Sequence, residues 1–531
     1  MNVFPFRRMM TVAALTLLAG CATFPSSRGL DETHALIEAR GGSSPPIEGP
    51  LDCSRSDAAI APLVAEPLTA DSAIQIMLMC NTQLAAEYAR LGISRAETFQ
   101  AARVANPTLS AALLDSSARG AAPQIELGLV QNFTNLLLRG PRSRLAEGEF
   151  LRAQQQLAGK VLQLAAEAKA DYYALVGAQQ IATVRHAIGD ALQTSAELAQ
   201  RFRAAGNLSA RALAEYEASA GQALVDARNA DNAAATASAA LTLQLGLPLK
   251  TAWSVPDRLS VPVAEEDTED ALLQRADLNR LDLAAARGLV TLLADSERSA
   301  REFRWLGDFS VGVSYEREPD RSRLLGPSLS IQLPIFDRGQ GPVARAQSLK
   351  TWSDAEQRRL TQAVAGAVQL AWQRTLNARD RAQDYRLHII PQRQAVVART
   401  QEEQNFMLVG VFELFTAKRA EFDAYQGYLE ALRDYWVARA ELERAVGARL
   451  PSDAQTASET IGTAQLLTPA PAPGEHTMSH GGMSHGGMQH DGAHMPGKKI
   501  PPSPSAKKPP DKSSGAHDAQ TDDHEHHGDT P

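Results

Sequence analysis

Long apolar runs are scarce in this sequence of 531 residues. After the first twenty residues no stretch nears the ~20 consecutive apolar residues of a transmembrane helix, so helices cannot carry the chain through a bilayer. Basic clusters are missing too, and a formal charge of -8 argues against nucleic acid as a partner. Phosphate loop, dinucleotide fingerprint, G-x-S-x-G elbow and H-E-x-x-H pair are all absent, so no enzymatic role is expected. Cysteine is limited to Cys21, Cys53 and Cys80. Proline is absent between Arg142 and Leu247, which leaves that stretch free to be helical throughout.

The amino terminus sets a compartment. Arg7 and Arg8 precede an apolar stretch, Met9 to Ala19, too short to span a bilayer, and residues 1–20 read as a secretory signal. The stretch closes on Leu18, Ala19, Gly20 and Cys21, which resembles the bacterial lipoprotein cleavage box. That resemblance implies a covalent lipid on Cys21 and, since Ala22 rather than Asp follows it, an outer-membrane destination. Residues 21–65 are then a lipidated linker. Cys53 and Cys80 remain for an oxidising compartment. A bridge between them and a free Cys80 buried on the helix beginning near Asp71 are both open; a bridge would contribute roughly 3 to 4 kcal/mol.

The body reads as two similar halves, 66–248 and 271–451, joined by a linker at 249–270, with equivalent positions about 200 residues apart. Gly140, Pro141 and Arg144 recur as Gly341, Pro342 and Arg345; Leu241, Leu245 and Gly246 answer to Leu442, Val446 and Gly447. Phe202 and Gly206 are matched to Phe406 and Gly410 at a slightly different offset, which implies small insertions. In the first half Leu157, Val161, Leu164, Ala168, Tyr172 and Leu175 are spaced by fours and threes, a coiled-coil seam. A helix from Arg142 to about Arg203 would run roughly 90 Å and must pack along a rod or tube. The second half repeats this from Val343 to about Asn405, with Pro391 as a kink.

Before each long helix the period changes to two. Phe309, Val311, Val313 and Tyr315 alternate with Asp308, Ser310, Gly312 and Ser314; Leu329, Ile331, Leu333 and Ile335 alternate on the return, across a polar loop Glu316 to Leu325. Ile125, Leu127, Leu129 and Phe133 serve the first half, after a weaker strand at Leu109, Ala111 and Leu113. An apolar face alternating with small polar residues is the pattern of a transmembrane barrel strand. Four strands leave two unpaired edges in hydrocarbon, so closure must come from other copies. These patterns alone allow a dimer or a trimer.

Several stretches together resemble the TolC family of outer-membrane efflux ducts over nearly all of residues 66 to 451. They are Leu333, Pro334, Ile335, Phe336 and Asp337; the Gly206 and Gly410 turns; and the run from Tyr428 to Gly447 with Asp434, Tyr435, Ala438, Arg439 and Leu442. The first half departs from the pattern, with Phe133, Thr134, Asn135 and Leu136 in place of the Pro-Ile-Phe-Asp stretch. The resemblance implies a mainly α fold with a small transmembrane β portion: a homotrimer whose twelve-stranded barrel stands above a periplasmic barrel of long coiled-coil helices. It also implies a periplasmic adaptor (membrane fusion protein) and an inner-membrane pump of the RND type as partners. The mouth that meets the adaptor falls, by position, at Ala205, Gly206, Asn207, Leu208 and Ser209, and at Val409, Gly410, Val411, Phe412 and Glu413.

From 452 the composition turns to Pro, Ser, Thr and Gly, as in a disordered tail to residue 531. Met478-Ser-His480, Met483-Ser-His485 and Met488-Gln-His490 repeat in phase, flanked by His476, His494 and Met495. Thioether sulfur suits Cu(I) or Ag(I) and imidazole suits Cu(II), so these nine residues are expected to bind copper or silver. His524, His526 and His527 form a less selective group, while His34, His186 and His388 are isolated. The resulting expectation is the outer-membrane duct of a copper or silver efflux system. A drug or type I secretion duct with a metal-buffering tail is the nearer alternative; a periplasmic metal-sequestering lipoprotein without a channel is the other.

Overall fold

The computed structural model describes residues 29–43, 53, 57–115, 122–456 and 459–468. Helix α1, Leu30–Glu38, lies along the start of the long helix, held where the Gln154 amide donates to the Gly29 carbonyl at 2.9 Å. Helix α2 is Asp57–Val64 and α3 is Ala70–Cys80, the latter opened by a Thr69–Ser72 capping box. Helix α4, Thr82–Ala101, starts at Asn81, whose side chain accepts from the Leu84 amide. Cys53 is bonded to Cys80 with Cα atoms 5.3 Å apart, so of the two arrangements open to the sequence the bridge is the one formed.

Strands β1, Thr108–Leu114, and β2, Gln124–Asn132, form the first hairpin. A short helix α5, Thr134–Leu137, leads into α6, Arg139–Ala204, whose 66 residues extend about 100 Å. The six seam residues expected from the spacing, Leu157, Val161, Leu164, Ala168, Tyr172 and Leu175, are all buried. Each large apolar side chain among them contributes about 1.5–3 kcal/mol by leaving water. Helix α7, Ala210–Leu245, returns alongside α6 and stops at Gly246 with φ +74°.

A three-residue strand β3, Arg258–Ser260, precedes α8, Glu269–Asn279, and α9, Leu281–Glu302. The second hairpin is β4, Phe309–Arg317, with β5, Arg323–Ile331. Helix α10, Gln340–Asp384, passes through one widened turn at Tyr385–Ile389 into α11, Ile390–Asn405. Pro391 accounts for the widening, because it has no N–H for the Leu387 carbonyl and its ring crowds that turn. The Ile390 amide bonds back to the Tyr385 carbonyl instead. Tyr385 packs over Gly427, where a Cβ would stand 2.5 Å from its ring. Helix α12, Val411–Val446, returns along α6 and α10 and ends at Gly447, φ +75°.

The segments expected as linker or tail carry structure. Residues 21–65 include α1 and α2, and 249–270 includes β3. From Pro451 onward a 3-10 turn at Pro451–Gln455, a strand β6 at Thr460–Gly462 and a helix α13 at Thr463–Leu467 continue the fold into the segment expected as tail, β6 pairing antiparallel with β3. Composition predicted disorder there, but side chains of the helical body hold the chain. The Gln180 amide donates to the Ile461 carbonyl, and Arg439 binds Ser452 and Asp453.

All four long strands form one antiparallel sheet in the order β1-β2-β4-β5. Within one chain this sheet is open, with β1 and β5 at its edges, and the expected barrel is not formed. Phe133 lies beyond β2: its amide bonds to the Phe309 carbonyl, and Thr134 then begins a helical turn. Leu333 and Ile335 lie beyond β5, since Pro334 cannot donate to a ladder. The loop expected at Glu316 to Leu325 shrinks to a turn at Glu318–Ser322, closed by hydrogen bonds between the Glu318 and Ser322 and the Arg321 and Glu318 backbones. Among the described residues no helix is long and apolar enough to cross a membrane.

Candidate functional site

The pairing register gives the sheet two faces of opposite chemistry. Leu109 stands opposite Leu129, Leu129 opposite Val313, and Val311 opposite Leu329, so these side chains share a face. Ala111, Leu113, Ile125, Leu127, Tyr315 and Ile331 fall on it by alternation, with Gln131 as a polar exception and Arg317 and Arg323 at the turn end. Among the described residues nothing covers this apolar face: Leu109 is 73% exposed, Leu329 63%. The other face carries Ser110, Gly128, Ser310, Gly312, Ser314, Gly326, Ser328 and Ser330, with Val130 as an apolar exception and Leu114 and Leu324 at the turn end.

On the polar face Glu126 and Glu316 are register partners. The Gln124 amide donates to both carboxylates, at 3.0 and 2.5 Å. Small residues keep this face low. A Cβ on Gly128 would meet the Ser110 hydroxyl at 2.5 Å, and one on Gly312 would meet the Leu129 carbonyl oxygen at 2.6 Å.

Two turns lie at the far ends of the long helices. After α6, Gly206 adopts φ +82° and its amide bonds to the Arg203 carbonyl, while the Asn207 amide bonds to that of Phe202. Glycine suits this left-handed position because it has no Cβ to clash. Arg203 also donates to the Leu208 carbonyl, and Ser209 caps α7 by accepting from the Ala212 amide at 3.1 Å. After α11 the same pattern runs through Met407, φ +58°: its amide bonds to the Gln404 carbonyl and that of Leu408 to Glu403. Gly410, φ −80°, instead opens α12, its amide donating to Glu413 at 2.9 Å. The counterpart of Gly206 is therefore Met407 and that of Ser209 is Gly410, at the spacing that separates Gly140 from Gly341. The expected insertion between the turns disappears; a shared residue type had misled the match.

The turns touch through rings. Phe412 stacks on Tyr216 with centroids 4.5 Å apart and meets Phe202 edge-on at 5.5 Å. Val409 and Val411 are half-buried, while Ala205, Gly206, Asn207, Ser209, Gly410 and Glu413 are exposed. Phe406, Met407 and Leu408 were not among the expected mouth residues, yet Met407 is 92% exposed and its neighbours nearly as much. Their sequence signal was an apolar run just ahead of a turn glycine.

Cys21 and the nine tail residues, His476, Met478, His480, Met483, His485, Met488, His490, His494 and Met495, lie outside the described residues. His34 is a buried residue of α1, His186 pairs with Asp231 at 2.9 Å, and His388 sits in the widened turn. Among the described residues no group of three or more His, Cys, Asp or Glu side chains is arranged to hold a metal ion.

No family model matches this chain, and no curated protein does. Solved structures do. Over 72% of this chain and 92% of the other it superposes on CusC, described in terms of transmembrane channel formation, with TM-score 0.59 and 16% identity. The outer membrane protein VceC of Vibrio cholerae matches over 71% and 96%, with TM-score 0.58 and 15% identity. The MtrE outer membrane channel of Neisseria gonorrhoeae, in its open state, matches over 71% and 89%, with TM-score 0.59 and 16% identity. The chain thus has the helix-rich fold of these outer-membrane channels, which agrees with the long-helix part of what its resemblance to the TolC family implied.

Proposed function

We propose that three copies of this chain form an outer-membrane duct for a tripartite efflux pump, anchored by lipid on Cys21 and exporting copper or silver ions from the periplasm. The observation that carries the duct is the sheet: one uncovered apolar face, one small polar face and two free edges. A free edge in hydrocarbon leaves backbone groups unsatisfied at several kcal/mol each, so the sheet must close with others. Nine-residue strands tilted as in known barrels rise roughly 23 Å, close to the apolar band of such barrels. The apolar face then meets lipid and the Ser/Gly face lines the channel. The two halves fit a duplicated unit, so three chains supply six similar helical hairpins for the periplasmic tube. The turns at Ala205–Ser209 and Val409–Glu413, with Phe406 to Leu408, form the mouth that receives the adaptor.

Copper or silver as cargo is supported by the Met/His repeat, in which a soft sulfur lies two residues before an imidazole three times over. The duct is tested by mass measurement of detergent-solubilised protein together with conductance in planar bilayers. A trimer that conducts is expected; a stable membrane-inserted monomer rejects it. The cargo is tested by truncation after Leu467, expected to leave assembly intact and to lower copper tolerance more than zinc or drug tolerance. Unchanged copper tolerance rejects the metal reading and favours a drug or secretion duct.

A further inference from the structure

The sheet meets the helices at one end only. Thr108, Asn132, Phe309 and Ile331 all stand at that rim, and the hairpin turns stand at the other. Rings gather there: Phe133 and Phe309 lie 6.0 Å apart, Trp305 is half exposed and Phe336 is 93% exposed. Between the end of α9 and the start of α10 opens a groove of about 720 Å³, whose lining includes Arg304, Trp305, Ile335, Phe336, Arg338 and Val343. Arg304 and Arg338 both approach the Trp305 ring, their guanidinium carbons 4.7 and 5.9 Å from its centroid. Neither guanidinium has an ion-pair partner among the described residues. The nearby Asp337 carboxylate accepts from the Gly339 amide instead.

We propose that this groove binds the headgroup of an anionic phospholipid, one per chain, at the inner leaflet of the outer membrane. The inference rests on the reading of the sheet as a membrane wall, which puts this rim at the lipid–water boundary. Two cations sharing one aromatic plate match a phosphodiester, because guanidinium forks bind phosphate oxygens in pairs. Ile335, Phe336 and Val343 add an apolar wall that inorganic phosphate cannot use but an acyl chain can. Trp305 belongs at such a boundary, where its ring is apolar on its faces and polar at its N–H. Charge complementarity therefore selects an anionic lipid over a zwitterionic one, and the apolar wall selects a lipid over a free ion.

Native mass spectrometry of the delipidated, detergent-solubilised protein tests this. Dioleoylphosphatidylglycerol and dioleoylphosphatidylcholine are titrated in parallel, each with and without inorganic phosphate. Phosphatidylglycerol is expected to saturate at one per chain and to bind about tenfold more tightly than phosphatidylcholine. Arg304→Gln with Arg338→Gln should remove that preference without altering the oligomer, and Phe336→Ala should weaken both lipids alike. Equal binding of the two lipids, or full preference retained by the double variant, overturns the proposal. Displacement by equimolar phosphate overturns it in favour of a bare anion site; loss of assembly in the double variant overturns it in favour of a subunit contact. Conductance of the same preparation separates the two readings: a conducting trimer without lipid preference rejects the headgroup site alone, whereas a non-conducting monomer rejects the duct as well.

Discussion

Replacing Arg439 with Met should loosen the junction of α12 with the segments around β3 and β6. The Arg439 side chain is 3% exposed; its Nε donates to Glu266 at 3.1 Å and its Nη2 to the Ser452 hydroxyl at 2.7 Å, and it pairs with Asp453. Glu266 also accepts from the Tyr435 hydroxyl at 2.5 Å. Burial by itself would lower the Arg439 pKa, but Glu266, Tyr435 and Asp453 outweigh it and hold the pKa above the ordinary arginine value. Methionine replaces the stem of the side chain and leaves Glu266 as a buried charge without its cation, a loss of about 3–5 kcal/mol. For a folded body of roughly 400 residues, an unfolding entropy near 2.1 cal/mol/K per residue converts this to a drop in Tm of roughly 4–6 °C. Adding Glu266→Gln removes the orphaned charge and should restore more than half of the loss. Thermal unfolding of the detergent-solubilised protein reads the size, and trypsin cleavage at Arg449 reads release of the segment that follows. A single variant within about 1 °C of the parent would refute the reasoning, as would a double variant whose losses simply add.

Cys53→Ser with Cys80→Ser opens a loop with sequence separation 27, and the chain-entropy relation puts the loss near 3.5 kcal/mol. Tm should fall by roughly 4 °C, and reducing agent should lower the parent to the same value while leaving the variant unmoved. Glu126→Gln with Glu316→Gln removes two carboxylates per chain from the polar face, so the cation-over-anion permeability ratio in planar bilayers should drop; an unchanged ratio would mean that this face does not line the conducting path. The Asp171 pKa is raised above 3.8, first by burial and then by Glu167. A raised carboxyl pKa means that stability is lost as pH climbs from the unfolded value through the folded one, so Asp171→Asn should raise Tm at pH 7 and give no gain at pH 3. A gain of equal size at both pH values would contradict burial of the charge as the cause.

Local pattern made much of this protein legible. The spacing by fours and threes from Leu157 to Leu175 placed six residues on one buried seam, because a helix has only one periodicity with which to present them. The alternation of two from Phe309 to Tyr315 did the same for a strand. Pro391 located the break in the second long helix, since its missing N–H acts wherever the helix packs.

Other features depend on residues that only folding brings together. The left-handed turn at Met407 was hidden because a nearby glycine advertised the same geometry, and hydrogen bonds, not residue type, decide which position takes it. The order of the segment after Pro451 rests on Arg439 a few turns upstream and on Glu266 and Gln180, which are far away in sequence, all too ordinary in composition to announce a partner. The Cys53–Cys80 bridge was open to the sequence because loop length does not bring two Cα atoms to 5.3 Å; packing does. The sequence by itself determined the periods, and with them which residues are helical, which are extended and which face is apolar. Tertiary structure decided the register of β2 on β4, which joins two hairpins nearly two hundred residues apart into one sheet and aligns most of its apolar side chains on a single side. Pairing between distant strands is fixed by their neighbours in space, and no local period encodes which strand that neighbour will be.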